Sequence, residues 1–213
     1  MPSSPAPAGA GHDRKMPPTI YYIRHGETDW NVAGRLQGRR DVPLNARGRA
    51  QAAHCGKILR DLFTQEGRDP AALDYVSSPL GRARQTMELA RPALGLAVDG
   101  YDIEPQLAEL SFGAWEGFTI AQLHESDPRR IAAREHDKWR FVPPGGESYE
   151  MVSARMRDWY NSLRRDTVVT SHGGTARGLI AYLGIAKPAA APLLDIAQGV
   201  VYVFEGEKLT RYA

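Results

Sequence analysis

Apolar residues in this chain fall into short saturated runs separated by longer stretches with helical spacing. Thr19-Ile20-Tyr21-Tyr22-Ile23 is β-branched and aromatic, which predicts a buried strand. Asp74-Tyr75-Val76-Ser77 and Thr167-Val168-Val169-Thr170 predict two more. Between them the period changes. Ala50, Ala53, Ile58, Leu59, Leu62 and Phe63 form a helical stripe over residues 46–63, with Asn45 as N-cap. Ser78-Pro79 supplies a cap and a first-turn proline for a helix to about Arg91.

Residues 98–107 read as extended or irregular, and 109–117 as a loop with aromatics. Thr119 caps a short helix to Glu125, and Asp127-Pro128 opens another to about His136. Pro143-Pro144-Gly145-Gly146 is a break. Ser148 then caps a long helix to about Arg165, with Met151, Val152, Met156, Trp159 and Leu163 on one face. A helix follows His172-Gly173-Gly174 to Leu183, and residues 198–205 and 208–212 form a closing hairpin around Gly206. Strands alternating with helices predict an α/β protein whose central sheet is mostly parallel and covered on both faces.

Composition narrows the setting. With 213 residues, 42% apolar and 24% charged, the chain has the balance of a soluble globular protein. Residues 1–16, rich in Pro, Ala, Ser and Gly, read as a disordered tail without the apolar core of a secretory signal. Residues 17–213 read as a single domain. A net charge of +2, from 27 basic and 25 acidic residues, gives no argument for nucleic acid or an acidic membrane surface. No apolar run approaches the ~18 residues of a membrane helix. The lone Cys55 excludes an internal disulfide and points to a reducing, cytoplasmic compartment. Oligomeric state stays open, a homodimer included.

Two strands end alike, in Arg24-His25-Gly26 and in Ser171-His172-Gly173-Gly174. Parallel strands in one sheet bring both histidines to one edge, where ligands of α/β proteins bind. The second histidine also precedes a helix, whose N-terminus attracts anions. The third strand end aims Arg82 from the first turn of its helix at the same edge. Two imidazoles and two guanidiniums make an anion site that needs no metal, and Arg24 repels a cation from His25. Phosphate-monoester hydrolysis, accelerated up to about 10²¹-fold by enzymes, depends on such charge stabilisation and positioning. A neutral imidazole can take the phosphoryl group covalently, and Glu109 is the candidate to protonate the leaving alkoxide.

These residues sit in a longer series: Arg24-His25-Gly26-Glu27-Thr28 with Trp30-Asn31; Leu36-Gln37-Gly38; Pro43-Leu44-Asn45 with Gly48; Ser77-Ser78-Pro79-Leu80 with Arg82-Ala83 and Gln85-Thr86; Glu109 with Phe112-Gly113 and Trp115-Glu116-Gly117; Pro144-Gly145-Gly146-Glu147-Ser148; and Ser171-His172-Gly173-Gly174. In this order, over about residues 19 to 205, the series resembles the histidine phosphatase superfamily, also called phosphoglycerate mutase-like. The resemblance implies a three-layer α/β/α sandwich. It implies that His25 accepts the phosphoryl group, that Arg24, Arg82 and His172 bind its oxygens, and that Glu109 donates and accepts the proton. Asn31, Gln37 and Gly38 line the phosphate pocket, with Gly173 beside it. The implied substrate is a small phosphorylated metabolite. No cofactor is implied for the phosphatase branch. The mutase branch, kept as the alternative, uses 2,3-bisphosphoglycerate. A non-catalytic binding protein on the same fold is a more distant alternative.

Other candidates read as structural. Glu27 orients Arg24 or caps a helix. Cys55 is a core cysteine, since only four residues separate it from Arg60 where cysteine-dependent phosphatases resemble a five-residue spacing. His12, His54, His124 and His136 read as surface or packing residues. Trp115 and Trp139 are equally suited to pocket wall or core. Arg129, Arg130, Arg134, Lys138 and Arg140 read as a solvated basic helix face rather than the second-anion site of a mutase. The Trp139…Phe141…Pro143-Pro144-Gly145-Gly146-Glu147-Ser148 run resembles the small phosphatase branch.

Overall fold

The computed structural model describes residues 17–213; the expected disordered tail and His12 lie outside the described residues. Thirteen elements follow in chain order: β1 (Ile20–Arg24), α1 (Asp29–Val32), α2 (Ala46–Glu66), β2 (Asp74–Ser77), α3 (Gly81–Ala90), β3 (Asp102–Ile103), α4 (Ile120–Ser126), α5 (Pro128–His136), α6 (Tyr149–Ser162), β4 (Thr167–Ser171), α7 (Gly173–Tyr182), β5 (Val201–Glu205) and β6 (Lys208–Tyr212). One sheet runs β3-β2-β4-β1-β5-β6. Its first four strands are mutually parallel, and the closing hairpin adds β5 and β6 antiparallel.

Side-chain alternation along the strands builds two cores. Ile20 and Tyr22 of β1, Val169 of β4 and Phe204 of β5 pack against Val152, Met156 and Trp159 of α6 and Leu179 and Ile180 of α7. Tyr21, Ile23, Val168 and Val203 face the other way, onto Cys55, Leu59 and Phe63 of α2 and Met87 of α3. Helices thus cover both faces in the three layers expected. A satellite cluster of Trp115, Leu123 and Ile131 holds α4 and α5 together. No described helix is long and apolar enough to cross a membrane.

Two boundaries differ from expectation. Helix α3 begins at Gly81 rather than Pro79, with Leu80 as an N-cap that makes no side-chain bond. The expected cap, Ser78, turns its hydroxyl to His172 Nε2 at 2.7 Å. Asp41, from a distant loop, accepts the Gly81 N–H instead, at 3.1 Å. Helix α6 stops at Ser162, because Leu163 is already extended and leads into β4.

Candidate active site

The ends of β1, β4 and β2 lie at one level. Arg24 pairs with Ser171 and Ser77 with Thr170. The pairing continues one residue further: the His25 N–H donates to the Ser171 carbonyl at 2.8 Å, and the Ser78 N–H to the Thr170 carbonyl at 3.0 Å. The two imidazoles therefore leave the sheet side by side, with ring centroids 5.1 Å apart.

His25 is buried, and its Nδ1 lies 2.8 Å from the Gly26 carbonyl oxygen. A carbonyl only accepts, so Nδ1 carries the hydrogen and Nε2 keeps the lone pair. Burial first, then the Arg82 and Arg24 guanidiniums, hold this imidazole well below its ordinary pKa. That depression leaves the ring neutral at pH 7.

Arg24 Nη1 donates to the Ile196 carbonyl at 2.7 Å. Arg82 donates through Nη1 to Arg40 O at 2.6 Å and through Nη2 to Gly38 O at 2.8 Å. Each guanidinium keeps its Nε without a protein partner, as does Nδ1 of His172. Buried donors are rarely left unsatisfied, and these belong to residues grouped around one imidazole. Burial depresses both arginines, with Glu109 opposing; a guanidinium stays charged regardless.

His172 is fully buried beside His25, with Nδ1 lacking a protein partner, and is not among the residues that line the cavity. Burial, then Arg82 and His25, push its pKa well below the usual value. Its backbone is fixed by the Tyr22 hydroxyl, which accepts from the His172 N–H at 3.0 Å and donates to its carbonyl at 2.7 Å.

Glu109 faces the pocket from the loop after β3. Its Oε1 accepts the Leu110 N–H at 2.7 Å, and Oε2 accepts the Gly174 N–H in the first turn of α7 at 3.2 Å. A cavity of about 140 Å³ joins these groups. Of the nine site residues expected from the sequence, all but His172 line it. A wider recess of about 370 Å³ lies on the other side of Arg82, beside Asp41 and Glu88, and holds neither imidazole.

Several neighbours escaped the sequence reading. Gln198 was expected inside a strand; it lies in the bend before β5 and donates from Nε2 to the His25 carbonyl at 3.1 Å and to Asn31 Oδ1 at 3.0 Å. Arg177 also lines the cavity. It sits four residues after Gly173, one helical turn on the same face, which is the signal that could have found it. Arg129, Arg130 and Arg140 are exposed as expected, but Arg134 and Lys138 turn inward to a recess of about 320 Å³, which Glu135 and Asp137 also line. Burial, followed by Arg134 and Arg177, brings Lys138 down to about 8. Among the described residues, none of Arg134, Lys138 and Arg177 has a carboxylate within 4.0 Å.

The remaining candidates fall in place. Glu27 does not touch Arg24; its Oε1 accepts from Asn45, the cap of α2, at 3.0 Å. Cys55 is in the core, its thiol pushed up to about 12 by burial. Trp115 is core, donating to Asp127 at 3.1 Å, and Trp139 packs against the core while bordering the recess of Arg134 and Lys138. His54 is exposed, and His124 meets Glu135 at 3.2 Å on the surface. His136 borders the recess of Arg134 and Lys138.

These features define an α/β sandwich with a cavity lined by Arg24, His25, Arg82 and Glu109 at the carboxyl edge of its parallel strands. The chain belongs to the histidine phosphatase superfamily (branch 1), whose model matches residues 20–211. It is 32% identical over 205 residues to a bifunctional protein of Mycobacterium tuberculosis, covering 94% of this chain and 50% of that one. The chain thus spans about half the length of the first curated relatives it matches. It is 35% identical over 178 residues to glucosyl-3-phosphoglycerate phosphatase of Mycobacterium tuberculosis, covering 77% of this chain and 74% of the relative. The solved structure of the mycobacterial glucosyl-3-phosphoglycerate phosphatase superposes with a TM-score of 0.73 at 30% identity, over 87% of this chain and 89% of that one. A phosphoglycerate mutase from Thermus thermophilus gives 0.68 at 32% identity, over 92% and 98%.

Proposed function

We propose that residues 17–213 form one histidine phosphatase domain that hydrolyses a phosphate monoester of a small metabolite. The phosphoryl group passes to Nε2 of His25. The Nε–H groups of Arg24 and Arg82 and Nδ1 of His172 support its oxygens. Glu109 protonates the departing alkoxide, then takes a proton from the water that releases phosphate. The observation that carries this reading is the His25–Gly26 hydrogen bond, which leaves Nε2 with its lone pair, in a pocket whose Arg24 and Arg82 keep Nε–H groups without protein partners. The names of the phosphatase relatives support the same reaction class.

Arg177, Arg134 and Lys138 narrow the substrate class. Glu135 and Asp137 border the same recess as Arg134 and Lys138 but pair with neither, so an anionic ligand group would relieve the repulsion among the three cations. The reading that fits is a metabolite with a second anionic group, a carboxylate or phosphate, beyond the scissile ester. A phosphorylated glycerate has that form, so the same cations favour phosphoglycerate mutase as the second reading. The deciding experiment is a phosphatase panel of mono- and doubly anionic phosphate esters, run with EDTA, beside a coupled assay with 3-phosphoglycerate and 2,3-bisphosphoglycerate. Release of inorganic phosphate, fastest from a doubly anionic ester and unaffected by EDTA, is the expected result. Efficient isomerisation without phosphate release favours the mutase.

A further inference from the structure

Two carboxylates that border the site have no part in the chemistry above. Glu116 and Glu147 belong to the Trp115-Glu116-Gly117 and Gly146-Glu147-Ser148 pieces of the sequence pattern, yet neither lines the pocket. Both lie between the two loops that carry its working parts. One is the segment 38–40, whose Gly38 and Arg40 carbonyls hold Arg82. The other is the segment after Glu109, beginning at Ser111.

Glu116 bridges them with one oxygen. Its Oε1 accepts the Arg39 N–H at 3.0 Å, the Phe112 N–H at 3.2 Å and the Ser111 hydroxyl at 3.4 Å. Its side chain is 10% exposed, and its Oε2 lies 3.8 Å from Arg40. Gly38 is required beneath it, because a Cβ there would overlap the Glu116 carboxylate. Glu147 makes a parallel bridge. Its Oε2 accepts the Ser111 N–H at 3.0 Å and lies 3.2 Å from Arg39 Nη2. Its backbone N–H donates to the Ser111 carbonyl at 2.8 Å, so Ser111 is held on both sides. Arg155 of α6, 3.4 Å from Glu147 Oε1, also donates to the Gln106 carbonyl, on the other side of Glu109.

We propose that Glu116 and Glu147 are positioning residues: they lock the loop carrying Glu109 to the loop that orients Arg82, and so fix the distance between proton donor and phosphoryl group. Charged acceptors taking several backbone and side-chain donors make stronger and more directional ties than exposed ion pairs. Both carboxylates are occupied as acceptors and neither reaches the pocket, so neither competes with Glu109 as the acid. A displacement of about 1 Å at the reacting groups costs on the order of 10²-fold in rate. The inference rests on the phosphohistidine reading and assigns that site its internal ruler.

The test uses leaving groups. Glu116→Ala and Glu147→Ala are each compared with wild type on a primary alkyl phosphate, which needs a proton at the departing oxygen, and on p-nitrophenyl phosphate, which needs little. Expected is a fall in kcat/KM, which reports phosphoryl transfer to His25 and not the later release of phosphate, of about tenfold or more on the alkyl ester, against a change within about threefold on the nitrophenyl ester. In a Glu109→Gln background the same substitutions should no longer change the ratio between the two esters. If an alanine protein fails to fold, the milder variants are Arg39→Ala for the Glu147 bridge, which loses only the side-chain ion pair, and Glu116→Gln for the Glu116 bridge, whose bond to the Arg39 N–H comes from the backbone; each should shift the ratio the same way. Equal losses on both esters, or a ratio change that persists without Glu109, overturn the inference and leave a purely structural role. A wild type that turns over without phosphorylating His25 overturns the functional reading and this inference together.

Discussion

The Glu109 carboxylate rests on the backbone N–H of Gly174, 3.2 Å away, in the first turn of α7. A Cβ on Gly174 would overlap Glu109 Oε1 and come within 2.9 Å of the Leu110 Cβ. The carboxylate, the free end of a side chain, can yield, but the Leu110 Cβ is tied to the backbone, so the loop carrying Glu109 must shift as well. Gly174→Ala should cost about 1–2 kcal/mol of stability, since overpacking against the Glu109–Leu110 loop outweighs the better helix propensity of alanine. It should lower kcat on alkyl phosphates by about 10²-fold. Thermal melts and steady-state kinetics on the same preparation check both.

His172 makes stability depend on pH. Its folded pKa is depressed, so the unfolded chain binds the proton more readily, and stability falls as pH drops below about 6.5. The contribution is about 1.4 kcal/mol per pH unit, or about 2 kcal/mol by pH 5. Urea unfolding of wild type and His172→Asn at pH 7 and pH 5 should show wild type losing about 2 kcal/mol more than the variant over that interval. Parallel pH curves would contradict the depressed value.

Lys138 offers a titration near neutral pH. With its pKa brought to about 8 beside Arg134 and Arg177, it loses its charge as pH rises through that value. KM for a doubly anionic substrate should climb above pH 8, while KM for p-nitrophenyl phosphate should not follow. Lys138→Met should raise the first KM about tenfold at pH 7 and leave the second within about twofold.

Gly26 and Gly48 meet backbone to backbone. A Cβ on Gly48 would overlap the Glu27 carbonyl, and one on Gly26 the Gly48 carbonyl. Neither partner is a flexible side-chain end. Gly48→Ala should therefore cost about 2–3 kcal/mol by denaturant unfolding and disturb the turn that holds His25.

Much of this was legible in the chain. Saturated apolar runs ending in Arg24-His25-Gly26 and Ser171-His172-Gly173 were enough to predict parallel strands with both imidazoles at one edge, because a strand's end fixes where its next residue emerges. Residues whose role depends on distant partners were not legible. Ser78 reads locally as a helix cap, and only the position of His172, 94 residues away, redirects its hydroxyl. Gln198 reads as strand, and its amide reaches back 173 residues to His25. Arg134 and Lys138 read as a solvated face, since the loop carrying Pro192 and Leu194, which receives Lys138 and Arg177, lies far along the chain.

The central claim is that His25 carries the phosphoryl group. Rapid acid-free quenching during turnover, followed by peptide mapping, tests it most directly. The account predicts a phosphate on His25 that is labile to acid, stable to base and absent from His25→Ala, which should also be inactive. Steady phosphate release by the wild type with no label on His25, or undiminished turnover by His25→Ala, would contradict it.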